Sequence, residues 1–148
     1  MDYKLLCAQL KALTEDVENV ISNLSNASAL LWQELGDINW AGFYKMERGV
    51  LVLYPFQGKP ACTKIAVGKG VCGTAVAEDK TQLVPDVHQF PGHIACDCAS
   101  NSEIVVPIFK NGEVVAVLDI DSPSLGRFDE TDRAGLEQFV KVLEETVF

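Results

Sequence analysis

The stretch 103–122, EIVVPIFKNGEVVAVLDIDS, carries the reading on which the fold turns. Two apolar runs flank Asn111-Gly112. Asn-Gly suits a tight type I′ turn, whose two central residues both take positive φ. The stretch therefore reads as an antiparallel hairpin. Upstream, WAGFYKME (40–47) and VLVLYPF (50–56) read as a second pair of neighbouring strands, joined by a tight turn at Arg48-Gly49. Two hairpins make an antiparallel sheet, and helices at both ends of the chain would have to pack against it.

Those helices are written as a change of period. Leu6, Leu10, Leu13, Val17, Val20, Ile21 and Leu24 recur at helical spacing over residues 3–24. A break is expected around Ser25-Asn26, with a second helix from Asn26 or Ser28 to Leu35 and Gly36 as its stop. A short helix should open near Val71. A last amphipathic helix, about 130–145, shows Ala134, Leu136, Phe139, Val140, Leu143 and Val147 on its apolar side, with Asp129 as N-cap candidate. The expected fold is α+β, a central antiparallel β-sheet flanked by N-terminal and C-terminal helices, in one domain over residues 1–148.

Composition narrows the function. Twelve basic against 21 acidic residues leave a net charge of −9 on 148 residues, which repels phosphate backbones and argues against nucleic acid. No apolar run approaches the length of a membrane span, and Lys4 and Lys11 interrupt any secretory apolar core. The expected location is cytoplasmic. Five cysteines there are read as thiols for chemistry or metal rather than as a paired framework.

Four of those cysteines, both histidines and five of the eleven glycines fall in the irregular centre, 57–102. Three readings compete. Cys62, Cys72, His88, His93, Cys96 and Cys98 could hold zinc, although the only close pair is a C-x-C whose side chains diverge in an extended chain. Buried cysteines can also be plain small hydrophobes. A redox cycle needs one thiolate that attacks and a second thiol that resolves the sulfenic acid, on segments able to approach each other. Asp119 and Asp121, two apart on a strand, share a face opposite Leu118 and Ile120. They are either hydrated at a strand end or, with Glu103, line a pocket in which at least one carboxyl is pushed toward neutrality. Trp40 and Tyr44 also share a face, with Gly42 between them leaving room beneath, as core packing or as an aromatic wall. The loop histidines receive no role.

Six segments together, NWAGFY (39–44), PFQGKPAC (55–62), GKGVCGTA (68–75), DVHQFPGHIACD (86–97), SNSEIVVPI (100–108) and VLDIDSP (117–123), resemble the free methionine-(R)-sulfoxide reductases, which are GAF-fold enzymes. The resemblance implies a GAF-like domain that reduces free L-methionine-(R)-sulfoxide and leaves the protein-bound residue alone. It implies Cys96 as nucleophile, Cys62 as main resolving partner and Cys72 as a third cysteine with a secondary role in recycling. Trp40 and Tyr44 would form the aromatic side of the substrate site, and Glu103, Asp119 and Asp121 the acidic side. Thioredoxin would be the reductant, with no metal or organic cofactor. Homodimers are common in that fold family. Cys98 departs from the usual pattern and reads as a spectator, and Cys7 as a small packed hydrophobe.

A ligand-sensing module is the competing class, since GAF domains are often sensors. A sensor has no use for three spaced thiols. A thiol peroxidase would share the sulfenic step but would not need an acidic cluster to hold an ammonium group.

Overall fold

The computed structural model describes residues 1–92 and 99–148. In chain order these form α1 (Tyr3–Thr14), α2 (Val20–Glu34), β1 (Trp40–Glu47), β2 (Val50–Gly58), β3 (Lys64–Ala66), α3 (Gly70–Glu78) and β4 (Gln82–Val84). A single 3₁₀ turn (Val87–Gln89), β5 (Ser102–Lys110), β6 (Glu113–Ser122) and α4 (Glu130–Thr146) follow. The strands make one antiparallel sheet in the order β3-β2-β1-β6-β5-β4.

Both expected hairpins form for the expected reason. Arg48 and Gly49 have φ of 52° and 85°, and Asn111 and Gly112 have 54° and 80°. That pair of left-handed residues matches the twist of the strands on either side. The two N-terminal strands do not adjoin the C-terminal pair at random: β1 lies against β6, so the middle of the sheet is β1-β6-β5.

The period of two sorts side chains onto two faces. Ala41, Phe43, Ile104, Val106, Leu118 and Ile120 point to one face and pack with Leu6, Leu10, Leu24, Leu31, Leu136, Phe139 and Leu143 of α1, α2 and α4. Trp40, Tyr44, Val105 and Val117 point to the other face and pack with Val71, Cys72 and Ala75 of α3 and with Val84 and Val87. Among the described residues, three long helices cover one face and one short helix the other, so two cores lie on either side of the sheet. On α4, Ala134 is exposed instead of buried, and Gly135 takes the inward place. Asp129 caps α4 as expected, in a reciprocal capping box with Asp132.

The first helical boundary falls earlier than the sequence suggests. The chain breaks at residues 15–19, where Asp16 turns left-handed at φ 65° and the Asn19 side chain accepts from the backbone N–H of Ser22. α2 then runs unbroken through Ser25-Asn26. Ser25 and Ser28 do not interrupt it because each hydroxyl donates to the carbonyl one turn back, Ile21 O at 2.7 Å and Leu24 O at 2.8 Å. At its other end Glu34 is the last helical residue, and Asp37 rather than Gly36 takes the left-handed conformation, at φ 57°. Leu13, Val17 and Ile21, on the apolar pattern of the sequence, are solvent-exposed.

Candidate active site

The pairing register assembles the acidic group. Trp40 lies opposite Asp121, and Asp121 opposite Glu103; one step along, Gly42 lies opposite Asp119. Directly paired residues point to the same face, so both aspartates, Glu103 and Trp40 all project toward the α3 side. Glu103 and Asp119 are buried, at 7% and 6% exposure, and Asp121 is half-buried. The strand end is therefore not a hydrated edge. The carboxyl groups belong to the second core.

Three acids packed this closely cannot all ionise at ordinary cost. Burial, first, pushes the Glu103 carboxyl well above its usual range, and the charges of Asp119 and Asp121 and hydrogen bonds with both push it further. Burial and the two neighbouring acids thus favour the protonated form of Glu103. Cys72 reaches the group from the first turn of α3. One ligand atom each from Cys72, Glu103 and Asp119 lie within 4.8 Å of one another, all three residues buried. A group of this kind can receive a cation, whether an ammonium or a metal ion. Of the cysteines and histidines weighed as a zinc set, the described residues bring Cys72 alone into it. Cys96, Cys98 and His93 lie outside the described residues.

The aromatic side is a stack of three rings. Trp40 stacks on Tyr44, with centroids 5.9 Å apart, and on Phe56 at 5.0 Å. Trp40 Nε1 donates to the Lys59 carbonyl at 3.1 Å, and the Tyr44 hydroxyl to the Cys62 carbonyl at 2.8 Å. Burial, followed by the neighbouring acids, raises the Tyr44 pKa, so it remains a phenol and a donor. Trp40 and Tyr44 are both 2% exposed. Of core packing and an aromatic wall, the alternatives set by the sequence, the burial shows core packing, beside the carboxyls. The room beneath Gly42 is taken: a Cβ there would collide with the Cβ of Phe56, its cross-strand partner. Phe56 was missed as a site residue, although it sits in PFQGKPAC, because only the β1–β2 pairing places it against Trp40.

Cys62 is half-buried in the link between β2 and β3. His88 is exposed, its Nε2 3.0 Å from Asn101 Oδ1, on the 3₁₀ turn that precedes the undescribed segment. Cys7 and Cys72 are free thiols; Cys7 is half-buried on α1, and burial raises its pKa.

A sheet of this order, covered on one face by three helices, with a buried acidic and aromatic group on the other, is the architecture of a GAF domain, and the GAF-domain sequence profile matches residues 15–145. The free methionine-R-sulfoxide reductase of Escherichia coli is 52% identical over 145 residues, covering 98% of this chain and 88% of its own. The Staphylococcus aureus fRMsr, solved in complex with substrate, superposes with a TM-score of 0.95 at 55% identity, covering 99% of this chain and 96% of its own. The Neisseria meningitidis free methionine-R-sulfoxide reductase, also solved with its substrate, superposes at 0.94 with 44% identity, over 97% of this chain and 87% of its own. The chain belongs to the GAF-domain family and, within it, to the free methionine-R-sulfoxide reductases.

Proposed function

We propose that this protein reduces free L-methionine-(R)-sulfoxide to L-methionine by a two-thiol cycle. The observation that carries the reading is Glu103, a buried carboxyl set beside two further acids and a three-ring aromatic stack and pushed toward neutrality by that burial and those charges. Sulfoxide reduction needs a proton on the departing oxygen, and a neutral carboxyl in a dry site supplies one.

Cys96, in GHIACD, is the attacking thiol; it lies outside the described residues, and its role rests on the motif. Its thiolate attacks the sulfoxide while Glu103 protonates the oxygen. The S–O bond of the substrate breaks as the protonated oxygen passes to the Cys96 sulfur, where the new S–O bond makes a sulfenic acid. Methionine leaves, its sulfur reduced by the two electrons that Cys96 loses. Cys62 then attacks the sulfenic sulfur, forming the disulfide and releasing water. A thioredoxin dithiol resets the pair by exchange in the cytoplasm. Asp119 and Asp121 hold the free ammonium group, and Trp40, Tyr44 and Phe56 face the thioether chain. A residue within a protein lacks both the free ammonium and the free carboxylate, and its flanking chain has no room beside a buried acidic group. The exposed Leu5, Leu13, Val17 and Ile21 supply apolar surface for a homodimer, which sedimentation would detect.

The test is a single-turnover assay with reduced protein, each epimer separately and no reductant. About one methionine and two thiols lost per subunit, from the R epimer alone, is expected. Cys96→Ser should release no methionine. Cys62→Ser should release about one per subunit yet lose thioredoxin-driven turnover. Release of no methionine from either epimer by the unaltered protein would overturn the assignment and favour a ligand-sensing role.

A further inference from the structure

Asn101 stands at a junction of several chain segments, and the cycle above gives it no role. Its backbone N–H donates to the Ser122 carbonyl at 2.8 Å, and its carbonyl accepts from Val87 N–H at 2.9 Å. Its side-chain Nδ2 donates to the Pro123 carbonyl at 2.6 Å, and its Oδ1 lies 3.0 Å from His88 Nε2. With the amide nitrogen on Pro123, the oxygen faces His88 as acceptor, so the imidazole donates from Nε2.

The partners of Asn101 are held in their turn. Val87 is buried in the core on the α3 side, and His88 N–H donates to the Asp86 carboxylate at 3.0 Å. Beyond Pro123, Ser124 N–H donates to Ser122 Oγ at 3.0 Å, and the Ser124 carbonyl accepts from Ser102 Oγ at 2.6 Å. Gly126 N–H reaches the Pro85 carbonyl at 2.9 Å. The junction is built on anchored groups.

His88 and Asn101 are 13 positions apart, and Cys96 falls between them in the chain. Both ends of that stretch are therefore clasped to each other through Asn101. They are clasped also to the strands that carry the acids. Asn101 leads directly into β5, two residues before Glu103, and Ser122 follows Asp121 on β6. Tying down the ends of a chain segment removes conformations that a thiol within it would otherwise sample. A misplacement of about 1 Å at a reacting group can cost about a hundredfold in rate, whereas one partly exposed hydrogen bond adds little stability.

We propose that Asn101 is a positioning residue for sulfoxide reduction: it clasps the two ends of the segment carrying Cys96 and ties them to the strands bearing Glu103, Asp119 and Asp121. This rests on the reductase reading above and adds one residue to it. His88 is the other half of the clasp and acts through its Nε2 donor rather than its charge.

The test follows methionine release by reduced protein in single turnover, over a range of free methionine-(R)-sulfoxide concentrations up to saturation. His88→Ala removes one tie and should slow release about tenfold, and Asn101→Ala removes both side-chain ties and should slow it about a hundredfold. In both, the half-saturating concentration should stay within about threefold of the parent. His88→Gln, whose amide also donates, should bring the rate back to within about threefold of the parent. The doubly substituted protein should be no slower than Asn101→Ala, since both changes open one clasp. The urea midpoint of His88→Ala should match that of the parent. Where Asn101→Ala fails to fold, the two His88 variants decide the matter.

Parent rates in both alanine variants would overturn the proposal. So would a change confined to half-saturation, which would place Asn101 on the substrate. Slowing in His88→Ala that glutamine does not reverse, with Asn101→Ala unaffected, would overturn it in favour of a role for the imidazole itself. Lowered urea midpoints with unchanged rates would overturn it in favour of plain bracing. Failure of the parent to release methionine at all would fault the reductase reading instead.

Discussion

The Tyr44 hydroxyl donates to the carbonyl of Cys62 at 2.8 Å, tying the aromatic stack on β1 to the backbone of a cysteine in the β2–β3 link. One side chain thus serves two neighbourhoods. Its ring stacks on Trp40, and its oxygen anchors the segment that carries Cys62.

Tyr44→Phe keeps the ring and removes the anchor. Methionine release should change little in a single turnover, whereas the second thiol should disappear more slowly, because Cys62 loses a fixed starting position. Quenched samples analysed for methionine and thiols together separate the two events. Stability should fall by about 1 kcal/mol. Equal slowing of both events would show that the hydroxyl acts on the substrate side.

Glu103 gives a pH dependence with a definite sign. Its folded pKa is raised, chiefly by burial and then by Asp119 and Asp121, so between the unfolded value of about 4.3 and the folded value the native state binds the extra proton. The slope of unfolding free energy with pH is then negative, and this contribution weakens as pH rises through that window. Urea titrations across pH should show the fall in the parent and a flatter profile in Glu103→Gln. The same variant should slow methionine release while remaining folded.

Gly42→Ala should be costly despite its modest size. The added Cβ meets the Cβ and backbone of Phe56 across the strand pair, where neither β1 nor β2 can yield without disturbing the Trp40 stack. A loss of about 1–3 kcal/mol in urea unfolding is expected, as for other overpacked positions, with a rise in KM. Gly36→Ala, where a Cβ meets nothing, is the control.

Tyr3 fastens α1 to the start of α4. Its hydroxyl donates to Asp132 Oδ1 at 2.6 Å, and Asp132 also accepts from Asp129 N–H and pairs with Arg127 at 3.5 Å. Tyr3→Phe should cost about 1 kcal/mol. Gly135→Ala should cost more, because the Tyr3 ring lies directly on that glycine. Neither should alter KM, and thermal melts with parallel kinetics would check both statements.

Features set by neighbours in the chain were legible in the sequence. Asn111-Gly112 and Arg48-Gly49 dictated their turns locally, and the two-residue spacing of Asp119 and Asp121 dictated their shared face. Local reasoning failed where a side chain had two options. Ser25-Asn26 looked like a helix break and Ser28 like a possible new start, yet the hydroxyls of Ser25 and Ser28 satisfy carbonyls within an unbroken α2. The features hardest to read were tertiary. Nothing between residues 57 and 102 announces that Cys72 will meet Asp119, since that depends on α3 folding over the face opposite the other helices. Gly42 and Phe56 likewise acquire meaning only through the register of β1 on β2.

The helix pairing has a geometric corollary. Tyr3 meets Asp132 near the start of α4, and Thr14 meets Thr146 at its end, their hydroxyl oxygens 2.8 Å apart. The helices therefore run parallel, and the amino and carboxyl termini emerge at opposite ends of the pair, separated by about 20 Å of helix. A tether joining them in a circularly permuted chain would need roughly six or more extended residues to cover that distance. Two tags, one on each terminus, would point away from each other along the same axis.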